Sequence, residues 1–204
     1  MATNPTLRSL RGLGNEAAPI SETALIIIDA QNAYLDGLLR LEGIEAAMAA
    51  CQHILARYRD AGRPIVHIQH EGAPGSPFDL ESHSGQIADQ VAPRPGEAVI
   101  RKRLPSSFTG TSLHEHLQAE GINRLMLVGF MSHMCVNSTA RAAVSLGYEV
   151  SVVAAATATR ALPSPLDQSV IPAAEIHRSA LAALADAFAA VVPTVADVPE
   201  NPSA

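Results

Sequence analysis

Residues 24–29 read ALIIID, and this stretch decides the fold class. Five apolar residues follow one another without a polar interruption, and three of them are β-branched isoleucines. A strand with such a run is buried on both faces, which is typical of parallel sheets covered by helices on both sides. Asp29 ends the run abruptly. The stretch therefore predicts a central strand with a carboxylate at its carboxyl end.

Strands and helices alternate along the chain after this stretch. Helices are predicted at residues 43–60, 113–117, 136–146 and 172–190. Further strands are predicted at residues 64–68, 98–100, 125–128, 149–153 and 191–192. Alternation of this kind predicts an α/β protein with a mainly parallel sheet.

The two ends of the chain predict the domain limits. Residues 1–20 are polar and contain Pro and Gly, so they predict an N-terminal arm, while residues 195–204 predict a polar C-terminal tail. The alternating pattern between them, residues 21–194, predicts one domain of ordinary size. Within this domain, residues 72–96 are rich in Gly, Pro, Ser and Asp, and a loop of this length is often functional.

Composition limits the classes of function. The net charge is −6 and no basic face stands out, which argues against a nucleic-acid partner. The sequence has no apolar window of ~18 residues to span a membrane, and residues 1–16 lack a signal-peptide core. Two cysteines, Cys51 and Cys135, are too few for a disulfide scaffold, so a reducing, cytoplasmic location is expected. Charged residues make up 17%, against about 25% in a typical protein. We therefore expect a homo-oligomer that hides part of its surface.

Three reactive side chains follow three predicted strands. Asp29 follows the first strand, Lys102 follows the third, and Cys135 stands at the start of the helix after the fourth. Ligands of parallel α/β sheets bind beyond the carboxyl ends of the strands, where these residues would converge. Each alone has an ordinary explanation: the aspartate as a turn cap, the lysine as a solvated edge residue, the cysteine as a small core residue. Their coincidence at strand ends favours a common site.

The three groups suit nucleophilic catalysis. A thiolate attacks a carbonyl carbon, whereas a thiol is a poor nucleophile. We expect the helix N-terminus and the Lys102 charge to lower the pKa of Cys135, and Asp29 to take the thiol proton and pass it to a leaving amine. Backbone N–H groups between Gly129 and Cys135 are candidates for an oxyanion hole. Cys51, by contrast, lies on the apolar stripe of the first helix and is predicted to be a core residue.

Three segments resemble the signature segments of one family. Residues 25–34 (LIIIDAQNAY), 102–108 (KRLPSSF) and 129–136 (GFMSHMCV) are similar to the opening, lysine and nucleophile segments of the isochorismatase-like cysteine hydrolases. Their order and spacing agree with that family from about residue 22 to residue 193. The three segments together form a specific signal, although each alone would be weak.

The resemblance implies both a fold and a chemistry. The fold would have three layers, with helices on both faces of a six-stranded, mainly parallel sheet. The catalytic triad would be Asp29, Lys102 and Cys135, an unusual cis peptide would join Phe130 to Met131, and the N–H groups of Met131 and Cys135 would form the oxyanion hole. Members of the family typically hydrolyse small amides, ureides or carbamoyl compounds through a thioester intermediate, and many are oligomers.

The sequence departs from the family in two places. The nicotinamidase branch holds a metal through an Asp-x-His segment after the second strand, but here that strand runs through His67 and His70 without such a segment. The two histidines are an odd number of positions apart and would face opposite sides of a strand. We therefore expect neither a metal nor another cofactor. Ala155 stands where relatives commonly carry an aspartate, which removes a polar anchor after the fifth strand.

Candidates for contact with a small-molecule substrate follow the predicted strands or flank the reactive residues. They are Gln31, Tyr34, His70, Phe108 and His133. Core or rim packing stays an open alternative for the glutamine and the two aromatic residues. The long loop offers Phe78 and Asp79 as further candidates. A Cys–His pair with His133 as the base is disfavoured, because residues two apart on a helix do not face each other.

The primary hypothesis is a cysteine hydrolase that cleaves a C–N bond of a small molecule. Two alternatives stay open. Vinyl-ether hydrolases of the isochorismatase type do not use a cysteine nucleophile, so Cys135 favours the amidase-like branch. A non-enzymatic binding or assembly protein would retain the fold and use its Ala-rich helix at residues 179–190 for subunit packing. Motifs typical of serine hydrolases, dinucleotide-binding proteins and P-loop NTPases do not occur in the sequence.

Overall fold

Strand β1, Ala24–Ile28, lies in the middle of a six-stranded parallel sheet, as its unbroken apolar sequence predicts. The computed structural model describes residues 4–202. The other strands are Ile65–His70 (β2), Ala98–Lys102 (β3), Arg124–Phe130 (β4), Glu149–Ala158 (β5), Leu162–Pro163 (β6), Val170–Ile171 (β7) and Ala190–Val192 (β8). The large sheet has the order β3-β2-β1-β4-β5-β8 with every pair parallel, while β6 and β7 form a separate antiparallel hairpin.

Helices cover both faces of this sheet and complete the three layers. They are Leu7–Leu10 (α1), Ile44–Asp60 (α2), Leu113–Ala119 (α3), Asn137–Ser145 (α4) and Ala173–Ala187 (α5). Helix α2 packs against the face that carries Leu25 and Ile27. Helices α3, α4 and α5 share the core of the other face with Ile26 and Ile28. Alternate residues of β1 thus enter opposite cores, which explains why the strand carries no polar residue. The predicted fold class is confirmed.

Cys51 belongs to the first of these cores, as predicted. It is fully buried on α2, and its Sγ lies 3.2 Å from the carbonyl oxygen of Ala156. Burial raises the pKa of this thiol to about 12. Cys51 is therefore a small, protonated core residue.

Strand β5 is longer than the sequence predicts. It runs to Ala158, whereas the predicted strand ends at Val153. The register against β4 shifts between Leu127 and Gly129, where β5 carries extra residues as a bulge. Alanine has a weak preference for strands, so the run of three alanines in this region gives no strand signal, and pairing with β4 decides the structure. The extension brings the residues after Ala158 to the edge of the sheet where Phe130 ends β4.

Gly129 allows β4 to pass close to β1 just before the nucleophile segment. Its φ angle is +109°, a value that side-chain-bearing residues rarely adopt. A Cβ atom at this position would lie 2.1 Å from the carbonyl oxygen of Ile28. Glycine is therefore required here for both conformation and space.

Gly129→Ala is expected to lower the free energy of unfolding by roughly 2–5 kcal/mol, because it combines a strained backbone with overpacking against Ile28. Gly147→Ala is the matched control, since Gly147 has a φ of +92° but no atom within 4 Å of the position that the added methyl group would take. The control should lose only about 1–2 kcal/mol. Urea unfolding measures both variants. Equal losses would contradict the close approach of the two strands.

Buried residues lie on both sides of the predicted domain limits. Ala17 and Ala18 are buried within the predicted arm. Val195 and Val198 are buried within the predicted tail, so part of this tail packs against the domain although its composition is polar. The limits themselves stay a prediction. Among residues 4–202, no helix is long and apolar enough to cross a membrane.

Candidate active site

Three strands bring Asp29, Lys102 and Cys135 into one buried cluster. Asp29 directly follows β1, Lys102 ends β3, and Cys135 lies in a π-helical turn after β4. The Lys102 Nζ lies 2.7 Å from Oδ2 of Asp29 and 3.3 Å from Sγ of Cys135. Asp29 is 0%, Lys102 1% and Cys135 5% exposed. Lysine and aspartate are rarely buried unless they are paired, so the ion pair between Lys102 and Asp29 accounts for the burial of both side chains.

Lys102 is the centre of the cluster. Besides the carboxylate and the thiol, its Nζ contacts Nδ1 of His70 at 3.0 Å and the carbonyl oxygen of Leu104 at 3.2 Å. An ammonium group can only donate, so Nδ1 of His70 accepts and Nε2 carries the proton. Burial, together with the Lys102 charge, lowers the pKa of His70 to about 4. His70 is therefore neutral at pH 7.

The same geometry bears on a metal ion. One ligand-type atom each from Asp29, His70 and Cys135 lies within 4.8 Å of the others, a grouping that suits a cation. The Lys102 ammonium contacts all three of these residues. The lysine thus supplies the positive charge where a metal would sit. His67, the other histidine of β2, instead pairs with Glu97 at 2.9 Å, on the opposite side of the strand.

The pKa values of Asp29 and Cys135 indicate which groups of the cluster are ionised before substrate binds. Burial raises the pKa of Asp29 to about 6, although the Lys102 charge opposes this effect. Burial and then the Asp29 charge raise the pKa of Cys135 to about 12, again against the effect of Lys102. The expectation that the thiol pKa is lowered is wrong in direction, because loss of hydration outweighs the nearby ammonium. Near pH 7 the cluster holds a carboxylate, an ammonium and a thiol.

The backbone holds Asp29 in a constrained position. Its φ angle is +51°, which is uncommon for a residue with a side chain and often marks a functional site. Its N–H donates to the carbonyl oxygen of Ile68 at 2.9 Å. The Lys102 Nζ pairs with Oδ2 of the carboxylate at 2.7 Å, and hydrogen bonds from Lys102 and Cys135 act against the effect of burial on the pKa of Asp29. The carboxylate therefore lies next to the thiol whose proton it would accept.

The nucleophile turn begins at a cis peptide bond between Phe130 and Met131. The π-helical turn Ser132–Val136 follows, and such turns are frequent at functional sites. The carbonyl oxygen of Met131 accepts from the N–H groups of Met134 and Val136 at 3.0 and 3.2 Å. Ser132 is buried and bonds to Nδ1 of His177 on α5 at 3.0 Å. The turn is therefore held from inside and from the neighbouring helix.

A buried pair of polar residues, Ser107 and Thr139, joins the lysine segment to helix α4. The N–H of Ser107 donates to Oγ1 of Thr139 at 3.0 Å, and the two hydroxyl groups are also 3.0 Å apart. Both side chains are fully buried. The next residue, Phe108, is half-buried and stacks on Tyr148 with ring centroids 5.6 Å apart. The sequence alone assigned no role to the Ser107–Thr139 pair.

Gln31 holds backbone segments together around the cluster. Its Nε2 donates to the carbonyl oxygens of His70 and Gly85 at 3.0 and 2.7 Å, and its Oε1 accepts from the N–H of His70 at 2.8 Å. Gln69 also donates to the Gly85 carbonyl, at 2.9 Å. These bonds tie the long loop at 72–96 to the ends of β1 and β2. The structure shows this positioning contact, and the substrate contact of Gln31 stays a prediction.

Aromatic side chains close one side of the cluster. Tyr34 is buried and packs edge-on against Phe78 of the long loop and Phe130 of β4, with centroid distances of 5.5 and 5.9 Å. The ring of His70 lies 4.8 Å from that of Phe78. The long loop thus brings Phe78 to the site. Asp79 instead stabilises a turn within the loop, where its carboxylate accepts from the N–H groups of Gly75 and Glu81.

Two further residues lie near the nucleophile turn. His133 is half-buried and its Nδ1 bonds to the hydroxyl of Thr159, and no hydrogen bond joins it to Cys135 in the part of the chain that the structure describes. Burial and then the Arg160 charge lower the pKa of His133. The sequence did not indicate Arg160 as a site residue, because the alanine run before it gives no sign that β5 continues to Ala158.

One hollow on the surface is not the site of the chemistry. It has a volume of about 470 Å³ and lies between β5 and the N-terminal ends of α2 and α5. Its walls include Ala155, Thr157 and His177, but none of the three clustered residues. Ala155, which stands where the family resemblance led us to expect an aspartate, therefore lines this hollow and not the cluster.

Comparison with known proteins shows the family of the chain. The isochorismatase domain family matches residues 23–196, and the chain belongs to this family. The crystal structure of an isochorismatase from Pseudomonas putida KT2440 is similar with a TM-score of 0.90 and 43% identity, covering 95% of this chain and 99% of that one.

Curated relatives of the chain include proteins named as hydrolases and one named as an effector. The secreted isochorismatase effector Isc1 of Verticillium dahliae is 37% identical, over 92% of this chain and 96% of its own length. A streptothricin hydrolase of Streptomyces noursei is 36% identical, over 86% of this chain and 64% of its own length. The ureidoacrylate amidohydrolase RutB of Pseudomonas syringae is 30% identical, over 75% of this chain and 79% of its own length. The relatives thus include an amidohydrolase.

Proposed function

We propose that this protein is a cysteine hydrolase that cleaves a C–N bond of a small amide, ureide or carbamoyl compound through a thioester. One observation carries the proposal: the buried Lys102 ammonium contacts both the Asp29 carboxylate and the Cys135 thiol. A proton acceptor (Asp29), a cation (Lys102) and a nucleophile (Cys135) are thus in contact, and this arrangement suits acyl transfer to a thiol. The amidohydrolase among the relatives supports the choice of a C–N bond.

In the first half-reaction, Cys135 attacks the carbonyl carbon of the substrate. The thiol proton moves to Asp29 as the S–C bond forms, because a thiol with a pKa near 12 is not ionised beforehand. The N–H groups of Met131 and Cys135 stabilise the oxyanion. Asp29 then gives the proton to the leaving nitrogen, the C–N bond breaks, and the acyl group remains on sulfur.

In the second half-reaction, water attacks the thioester. Asp29 accepts a proton from the water and passes it to the sulfur as the C–S bond breaks, so that the thiol is restored and the acid leaves. Lys102 keeps its charge throughout and balances whichever group is negative: the carboxylate at rest, or the sulfur and the oxyanion as they develop. No step needs a metal or a cofactor.

The substrate lies, in this proposal, among the side chains that surround Cys135. His70 presents its Nε2–H, and Tyr34, Phe108 and His133 form the walls. The homo-oligomer and the cytoplasmic location stay predictions, and the relative from Verticillium dahliae is named a secreted effector.

A panel of small amides, ureides and carbamoyl acids tests the function, with release of ammonia or amine as the readout and isochorismate as the vinyl-ether comparison. We expect turnover of C–N compounds that stops when iodoacetamide has modified Cys135. Turnover of isochorismate that persists after modification would instead establish the vinyl-ether alternative. Tight binding of a compound without any turnover would establish the binding-protein alternative.

A further inference from the structure

His177 of helix α5 holds the first residue of the nucleophile turn. Ser132 begins the turn Ser132–Val136, is fully buried, and has its Oγ 3.0 Å from Nδ1 of His177. Within residues 4–202, this is the only side-chain hydrogen bond that Ser132 makes. A buried hydroxyl group without a partner costs stability, so the bond to His177 restricts where Ser132 can lie.

Helix α5 is a rigid support for this bond. Leu181 and Leu184 follow His177 on the same face of the helix, and both are buried in the core that also contains Cys135 and Val136. The turn itself has no side-chain cap at its N-terminal end. The position of the turn relative to the sheet therefore depends on the support that α5 gives it.

The hollow of about 470 Å³ lies behind the residues that hold the turn. His177 and Thr159 both line it, and the hydroxyl of Thr159 bonds to His133, the second residue of the turn. Two successive residues of the turn are thus held by hydrogen bonds from side chains that border open space. Because most of the other walls are alanines, the hollow also leaves room for different side chains at position 177.

We propose that His177 is a positioning residue that holds the nucleophile turn through its first residue, so that Sγ of Cys135 stays beside Nζ of Lys102. The same bond keeps the N–H groups of Met131 and Cys135 aimed at the carbonyl oxygen of the substrate. Within residues 4–202, His177 makes no hydrogen bond or ion pair with the three clustered residues, so it acts through the turn. A displacement of about 1 Å at a reacting group can cost about 100-fold in rate. This inference rests on the proposed function and adds a residue that does not touch the substrate.

Three substitutions of His177 test the proposal. His177→Leu removes the bond and should lower kcat for the best C–N substrate by about 10- to 100-fold with KM within about twofold, because only the alignment of the reacting atoms is lost. His177→Asn should recover most of the rate, since its amide takes the place of Nδ1 and can donate or accept. His177→Gln, whose amide takes the place of Nε2, should resemble the leucine variant. Equal kcat in the asparagine and glutamine variants, or a change in KM alone, would overturn the proposal.

A double variant separates positioning from stability. Ser132→Ala combined with His177→Leu replaces both partners of the bond by apolar groups, so its free energy of unfolding should lie closer to that of the wild-type protein than the value for His177→Leu, which buries an unpartnered hydroxyl group. Its kcat should nevertheless stay as low as in either single variant, because the two residues act through one bond. Recovery of kcat together with stability would refute the positioning role. His53→Gln is the control, since His53 is exposed on α2 and should leave both quantities unchanged.

Hydrogen exchange at the turn distinguishes this inference from the proposed function. The N–H groups of Met134 and Val136 donate to the carbonyl oxygen of Met131, and mass spectrometry of the peptide that contains them measures how firmly the turn is held. Exchange should be faster in His177→Leu than in the wild-type protein and close to wild type in His177→Asn, whether or not a substrate is turned over. This pattern without turnover of any C–N compound would refute the proposed function and keep the support of the turn by α5. Unchanged exchange in His177→Leu, with turnover of C–N compounds by the wild-type protein, would do the opposite.

Discussion

Cys135→Ala is expected to lower kcat/KM for the best C–N substrate by about 10⁴-fold or more, because removal of a nucleophile leaves only binding and the oxyanion hole. Unfolding by urea should show that the variant remains folded, since the side chain is small and lies at the edge of the core. Cys51→Ala is the matched control within the same chain. Cys51 is fully buried on α2, so its loss should cost about 1 kcal/mol of stability and leave kcat/KM within about twofold.

The comparison of these two cysteines is demanding because the pKa of each thiol is raised to about 12. Neither thiol is ionised at rest, so thiol acidity does not separate them. Only the neighbours do: Cys135 lies beside the Lys102 ammonium, whereas Cys51 lies 3.2 Å from a backbone carbonyl. Full activity in Cys135→Ala, or loss of activity in Cys51→Ala with the fold intact, would show that the wrong thiol has been assigned.

Asp29→Asn is expected to lower kcat/KM by about 10³- to 10⁴-fold, because the amide keeps the shape of the side chain but cannot accept the thiol proton. Asp36→Asn is the control, since Asp36 is exposed a short distance along the same segment and should change activity by less than about twofold. Initial rates of each variant at saturating and at limiting substrate concentrations separate a decrease in kcat from an increase in KM. An increase in KM with an unchanged kcat would contradict the role of Asp29 as a base.

The pH profile gives Asp29 a second readout. A base must be ionised to accept a proton, and the pKa of Asp29 is raised to about 6. Activity should therefore be full above this pH and fall as the pH drops through about 6, with kcat/KM decreasing about tenfold per pH unit below it. The remaining activity of Asp29→Asn should lack this decrease. An identical acid limb in the variant would assign it to another group.

Local features of the sequence predict the sheet and the positions of the reactive residues. The run before Asp29 predicts a strand buried on both faces, and residues that follow neighbouring parallel strands meet at one edge of the sheet. Those inferences depend on neighbours in sequence, and the structure agrees with them. Lys102 reaches the cluster from β3 across the end of β2, as the strand order requires.

Features that depend on distant residues could not be predicted in the same way. The helix start before Cys135 suggested a lowered pKa, but burial from several elements raises it. The role of Gln31 in holding the long loop depends on its hydrogen bond to Gly85, which is 54 positions away and leaves no local signal in the sequence. The position of Arg160 depended on the pairing of an alanine-rich strand with β4, which overrides the weak local preference of alanine.

The most direct test of the central claim is to trap the acyl group on the enzyme. The wild-type protein is mixed with a substrate identified from the panel, quenched in acid at short times and analysed by intact mass and by peptide mapping; an aldehyde analogue of the same substrate serves where the acyl group does not accumulate. We predict an added acyl or thiohemiacetal mass on the peptide that contains Cys135 and none on Cys51. An adduct on Cys51, or no adduct on either cysteine while Cys135→Ala turns over substrate at the wild-type rate, would contradict the thioester mechanism.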